Sequence, residues 1–237
     1  MKKNLFYFLL IILNIHSEIF AEPIFATIVF MKGKVNYIHN GETKSITRKT
    51  ILEENDIIIT EKGFLDIQIG PNSVFRINPG SKVKISGLAM TDNKQNINLN
   101  LEKGQLFSKV KNLPNGSKIS VETPTLTGGV RGTEFAISGD SDQDLIDKKE
   151  TLENGVYVTE GKVEVILKES STKIEVPAGS EFVTSAKEQK ARMLSDYNKE
   201  KMEILNHLKI MKESNFKLLE DQHKKNKSLM LKKKPWD

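Results

Sequence analysis

A period of two dominates this chain from Ile24 to Ala186. Ile57/Ile59, Leu65/Ile67/Ile69, Val83/Ile85, Ile97/Leu99/Leu101, Ile119/Val121, Phe135/Ile137, Val156/Val158, Val163/Val165/Leu167 and Ile174/Val176 each alternate with more polar residues. Successive side chains on a strand point to opposite faces, so such runs make half-buried strands and cannot make an amphipathic helix. Asn96 to Leu101 is the cleanest case, with amides on one face and aliphatic side chains on the other. Turn signals separate the runs as a charged residue followed by glycine, at Lys32-Gly33, Lys62-Gly63, Lys103-Gly104 and Glu160-Gly161, with no fixed repeat between them. The pattern predicts an all-β body, either an irregular β-solenoid or a two-sheet β-sandwich.

One stretch within this body is unusually specific. Val121 to Ile137 reads V-E-T-P-T-L-T-G-G-V-R-G-T-E-F-A-I. Pro124 cannot donate to a ladder and suits a strand end. Gly128, Gly129 and Gly132 permit positive φ or the close approach of another backbone, so an interruption between two strands is expected here. Phe135 and Ile137 then resume the alternation, which carried backwards would turn Arg131 and Thr133 to the inner side. A buried guanidinium needs a carboxylate partner, and Glu160 and Glu122 are the candidates. A bulge at Gly132 would reverse the facing and present Arg131 to a partner protein.

These residues resemble the FecR domain family. The resemblance is carried by Thr123, Pro124, Gly129 and the run Val130, Arg131, Gly132, Thr133, Glu134, Phe135. Weaker matches follow in order: Asp56 to Thr60, Pro71 to Ser73, and Val158 to Val163. The resemblance implies an elongated, solenoid-like β domain on the outer side of a bacterial inner membrane, contacting other envelope proteins. In the best-known members it also implies a cytoplasmic segment that controls a sigma factor and a membrane helix. Neither is expected here, since only about 21 residues precede the β domain.

Those first residues have the order of a secretory signal: Lys2 and Lys3, an apolar run from Leu5 to Ile15, then Ala21 at the expected cut. The apolar run is well short of the ~20 residues a helix needs to cross a bilayer. The reading divides the chain into a signal peptide at 1–21, a β domain at 22–186 and a tail at 187–237. The expected location is the periplasm or cell envelope.

Charge is distributed unevenly between body and tail. Residues 187–237 hold 14 Lys+Arg against 8 Asp+Glu, and the rest of the chain holds 22 against 23. Leu194, Tyr197, Ile204, Leu208, Met211 and Leu218 fall on heptad a and d positions among strong helix formers, with Lys201, Asn215 and Gln222 as polar gaps. The tail is predicted to be one long helix. It would dock on the β body, self-associate as a coiled coil, or rest on an anionic lipid or polymer through Lys224, Lys225, Lys227, Lys232, Lys233 and Lys234. Nucleic acid is not an expected partner, because no aromatic residues are interleaved to stack on bases.

Catalytic, cofactor and metal sites are not expected. Cysteine is absent, and no nucleophile-elbow, phosphate-loop, dinucleotide or His-Glu-x-x-His motif occurs. His39 beside Asn40-Gly41 reads as a hairpin residue. Asp140, Asp142 and Asp144 have the alternate spacing of a calcium loop, but Leu145 and Thr151 stand where its glycine and its last glutamate belong. Residues 139–155 therefore read as a solvated acidic loop. The function these features point to is a non-enzymatic protein-interaction or envelope signalling module. A structural component tethered by its basic tail is the alternative.

Overall fold

A computed structural model describes residues 24–91, 94–130, 132–140, 151–206 and 208. The chain opens with β1 (Ala26–Lys32) in a first sheet and moves to a second for the hairpin β2 (Val35–His39) and β3 (Glu42–Ser45). It returns to the first for β4 (Ile51–Leu52) and crosses again for β5 (Ile57–Thr60). The hairpin of β6 (Phe64–Ile69) and β7 (Ser73–Ile77) lies in the first sheet, that of β8 (Lys82–Thr91) and β9 (Lys94–Lys103) in the second. β10 (Gln105–Val110) is in the first, β11 (Lys118–Glu122) and β12 (Leu126–Val130) in the second. β13 (Glu134–Ser138) and β14 (Gly155–Glu160) follow in the first, β15 (Lys162–Leu167) and β16 (Lys173–Pro177) in the second. β17 (Ser180–Val183) and β18 (Arg192–Met193) close the first sheet.

This shuttling gives each sheet an order that advances with the sequence. The first runs β4-β1-β6-β7-β10-β13-β14-β17-β18 and the second β3-β2-β5-β8-β9-β11-β12-β15-β16. Strand pairing is antiparallel except between β9 and β11. The expected all-β body is therefore present as two sheets that do not close into a barrel. The inner faces share one core, with Ile67, Phe75, Phe135 and Val158 from the first sheet and Ile58, Ile85, Leu99, Val121 and Val163 from the second.

The sheets differ on their outer faces. In the second, buried and accessible residues alternate along β9 and β15, so its outer face is solvated. In the first, β7, β10 and β13 are buried along their whole length. Part of the cover is a helix, α1 (Asp196–Met202), capped by Ser195, whose Oγ accepts from the Asn198 backbone N–H at 3.2 Å. Met202, Leu205 and Leu208 pack with Val74, Phe107, Ala136, Tyr157 and Val183 in a second apolar cluster.

The helix departs from the sequence reading in two ways. It starts at Asp196 rather than near Lys187, because the chain first adds β18 to the sheet edge and buries Leu194. Of the expected seam, Leu194 and Leu208 are buried and Ile204 is partly packed, but Tyr197 is 56% exposed, and Met202 and Leu205, not expected there, complete the buried stripe. Met211 and Leu218 lie outside the described residues. So do the proposed signal peptide and the lysines from Lys224 to Lys234. Among the described residues no helix is long and apolar enough to cross a membrane.

Candidate functional site

The Val121–Ile137 stretch crosses from one sheet to the other, and its residues act at each corner. Thr123 makes the turn between β11 and β12. Its Oγ1 accepts from the backbone N–H groups of Thr125 and Leu126 at 3.2 and 3.0 Å, and its own N–H donates to Leu126 O. Pro124 sits exposed at the tip, where no ladder donor is needed. Contrary to expectation, Gly128 and Gly129 do not interrupt a strand. β12 runs through both, and a Cβ on Gly128 would lie 2.9 Å from Ile137 Cδ1 across the core, so any larger residue there needs that side chain to shift. Val130, the last residue of β12, is buried in that core. The break comes at Gly132, with φ +64, next to the turn of Gly161, with φ +79.

Beyond that break the signature becomes part of an ionic network. Thr133 is buried and its Oγ1 donates to Lys162 O at 3.0 Å. Phe135 turns into the core, so Glu134 points to the outer face of the first sheet. Register places Glu134 opposite Lys109 on β10 and opposite Glu160 on β14. Two carboxylates directly opposite each other repel. Lys111 resolves this by placing its Nζ 3.2 Å from Glu134 and 3.0 Å from Glu160. Hydrogen bonding to Glu134 and Lys111 holds Glu160 below the ordinary carboxylate range, and the same contact with Glu160 raises Lys111. Lys109, almost wholly enclosed, closes the network with a short ion pair to Glu134.

The next row of the same face runs straight across the sheet. Asp66, Arg76, Phe107, Ala136, Tyr157, Glu181 and Arg192 are successive cross-strand neighbours. Arg76 donates to both Asp66 oxygens at 2.6 Å and stacks over Phe64 at 4.3 Å from its centroid. Burial pushes the Asp66 carboxyl up against the opposing pull of that guanidinium. Glu181 accepts from Arg192 Nε at 2.9 Å and from Asn198 Nδ2 at 2.7 Å, which ties α1 to the sheet. Tyr157 donates to Glu153 O at 2.8 Å, and enclosure raises its phenol. Buried charge is costly unless paired, and each of these charges has its partner on a neighbouring strand or helix.

Sequence reasoning found Glu134 but missed its partners. Lys109, Lys111, Asp66 and Arg76 carry no local signal, because strand register between distant segments brings them together. Glu160 and Glu122, considered for Arg131, are engaged by Lys111 and Lys168 respectively. Arg131 itself lies outside the described residues. His39 is in a hairpin, with Asn40 and Gly41 at φ 51 and 82, as its sequence implied. It also holds the turn at 53–56, its Nδ1 lying 2.7 Å from Asp56 Oδ1. Asp56 additionally accepts from the Glu53 N–H, and Thr60 Oγ1 bridges Asn78 O and Ser81 O. Asp56 and Thr60, two of the weaker family-like positions, thus hold corners. Residues 141–150 of the acidic loop fall outside the described set, and among the described residues no cluster of three metal-binding side chains occurs.

Comparison with known proteins places the same stretch in a family. Residues 55–164 match the family model described as FecR protein. No curated protein sequence matches. Two crystal structures of an anti-sigma-factor candidate from Parabacteroides distasonis ATCC 8503, at 1.65 and 2.50 Å resolution, align with a TM-score of 0.43 and 16% identity. Each alignment covers 57% of this chain and spans 57% of that protein's length.

Proposed function

Because this chain carries a FecR domain over residues 55–164, we propose that it is a non-enzymatic interaction module of the cell envelope, exported by its first 21 residues and working in signalling. The observation that carries this reading is the commitment of the signature to the scaffold. Thr123, Thr133, Glu134 and Phe135 each hold a turn, a partner strand or the core. Chemistry on a substrate would need some of these groups directed at a reacting bond.

Recognition falls to the solvated side. The outer face of the second sheet is a polar platform of Asn96, Asn98 and Asn100 on β9, Ser120 and Glu122 on β11, and Glu164 and Glu175 on β15 and β16. Ser120 donates to Asn98 at 2.6 Å, so the central amide of the row is held in place before any partner arrives. An envelope protein with matching donors and acceptors is the partner class that fits.

The test is capture from a native envelope extract with three baits: the full chain, an Asn96→Arg/Asn100→Arg variant, and the chain without residues 209–237. A partner retained by the first and third baits but lost by the second, with the melting temperature of the second unchanged, is the expected result. Retention independent of the amide row would contradict the assignment of that face. Loss only with the tail removed would favour tethering through the lysines.

A further inference from the structure

Each sheet of this protein has two edges, and three of the four are blunted. In the first sheet the edge strands β4 and β18 are two residues long. In the second, β16 ends in Pro177, which has no N–H to offer. The remaining edge is β3, Glu42-Thr43-Lys44-Ser45, with no proline and all four residues exposed. Its register with β2 pairs His39 with Glu42, Tyr37 with Lys44 and Ile38 with Thr43. In a hairpin closed by the two-residue turn Asn40-Gly41, hydrogen-bonded pairs alternate from the closing pair outward. Glu42 and Lys44 therefore bond back to β2, and the Ile46 N–H donating to Val35 O at 2.9 Å keeps the same phase. The N–H and C=O of Thr43 and Ser45 point away from the sheet, where no further strand follows among the described residues.

We propose that β3 is a self-association edge and that its partner is β3 of a second copy, joined antiparallel about a two-fold axis through Thr43. The argument is the charge pattern. Antiparallel pairing centred on Thr43 sets Glu42 opposite the partner's Lys44 and Lys44 opposite the partner's Glu42. The two Thr43 residues exchange a pair of backbone hydrogen bonds. A register one residue away sets Glu42 and Lys44 opposite uncharged Gly41, Thr43 or Ser45, and one two residues away sets Glu42 against Glu42 or Lys44 against Lys44, so E-T-K-S is self-complementary in this one alignment. Within a single copy Glu42 and Lys44 already form a solvent-exposed pair at 3.1 Å, on one side of the strand. Each lysine would thus sit between two carboxylates in the dimer. The same end of the molecule carries Phe25 and Ile51, 45% and 55% exposed, beside the neighbouring edge of the first sheet. A contact of four-residue strands is small, so a weak, concentration-dependent dimer is expected.

Sedimentation of the full chain over a concentration series reads this directly, with Thr43→Pro, Lys44→Glu and the exchange Glu42→Lys/Lys44→Glu run alongside. Circular dichroism and melting temperature confirm that each variant is folded. The proposal expects a wild-type dimer by about 100 μM, weakened at least about tenfold in Lys44→Glu and lost in Thr43→Pro. The exchange variant should dimerise again, since its lysine and glutamate still meet across the axis. A wild-type protein monomeric throughout, or a dimer indifferent to Thr43→Pro and Lys44→Glu, overturns it. Failure of the exchange to restore association overturns the charge register as well.

Discussion

A Cβ placed on Gly161 would come within 2.5 Å of the Gly132 carbonyl oxygen, and the residue sits at φ +79. Gly129 belongs to the same region, yet its imagined Cβ meets nothing closer than 3.7 Å and its φ is not in the left-handed range. Gly161→Ala should therefore cost at least roughly 1–2 kcal/mol from backbone strain alone. Gly129→Ala should change stability by no more than about 0.5 kcal/mol. Urea titrations of the two variants check this, and comparable losses would mean that Gly129 has a constraint beyond the close contacts seen here. At this scale part of the site was legible from the sequence. Gly132, Gly161 and Pro124 announce corners through their own backbone preferences, whereas Gly128 and Gly129 lie within a strand. The partners of Glu134 do not, because nothing near Lys109 or Lys111 marks them as its neighbours.

Among the elements, legibility followed the alternation each strand kept: β6 and β13 are buried yet were evident from Leu65/Ile67/Ile69 and Phe135/Ile137. β9, β11 and β15 have one wet face, so their sequences alternate and their strands were evident. β7 and β10, read as S-V-F-R-I and Q-L-F-S-K-V, are covered on both faces, and burial on both sides removes the alternation that marks a strand. The tail was legible in part: of the heptad positions Leu194 and Leu208 are buried, while Tyr197 is exposed and Met202 and Leu205, which the template omits, make the rest of the contact. If α1 covers the first sheet through the observed stripe, Leu205→Asp should expose Tyr157 and Phe107. Trypsin should then cut within 196–206 faster and an apolar dye should bind more strongly, while Tyr197→Asp leaves both unchanged. Sensitivity at Tyr197 with none at Leu205 would mean that the helix uses the stripe read from the sequence.

Across the whole molecule, the two sheets divide the work. One outer face is left to water with a prearranged polar surface. The other is closed over by a helix and held together by ion pairs that cross from strand to strand. The chain reaches this by shuttling between sheets while advancing along both, so each strand contacts near neighbours in the stack. The family signature lies where the chain passes from β12 to β13, and its glutamate ties β13 to Lys109 on β10 and, with Lys111 shared between them, to Glu160 on β14.

The central claim is that Glu134 of this signature stabilises the stack of strands. A double-mutant cycle on the buried pair, Lys109→Met and Glu134→Leu, measured by urea unfolding, tests it most directly. Glu134→Leu should lose about 3–5 kcal/mol by leaving Lys109 buried and unpaired, Lys109→Met should lose less because Lys111 stays on Glu134, and the double variant should recover most of the Glu134→Leu loss. Single variants as stable as the wild type, with partner binding lost instead, would contradict the account.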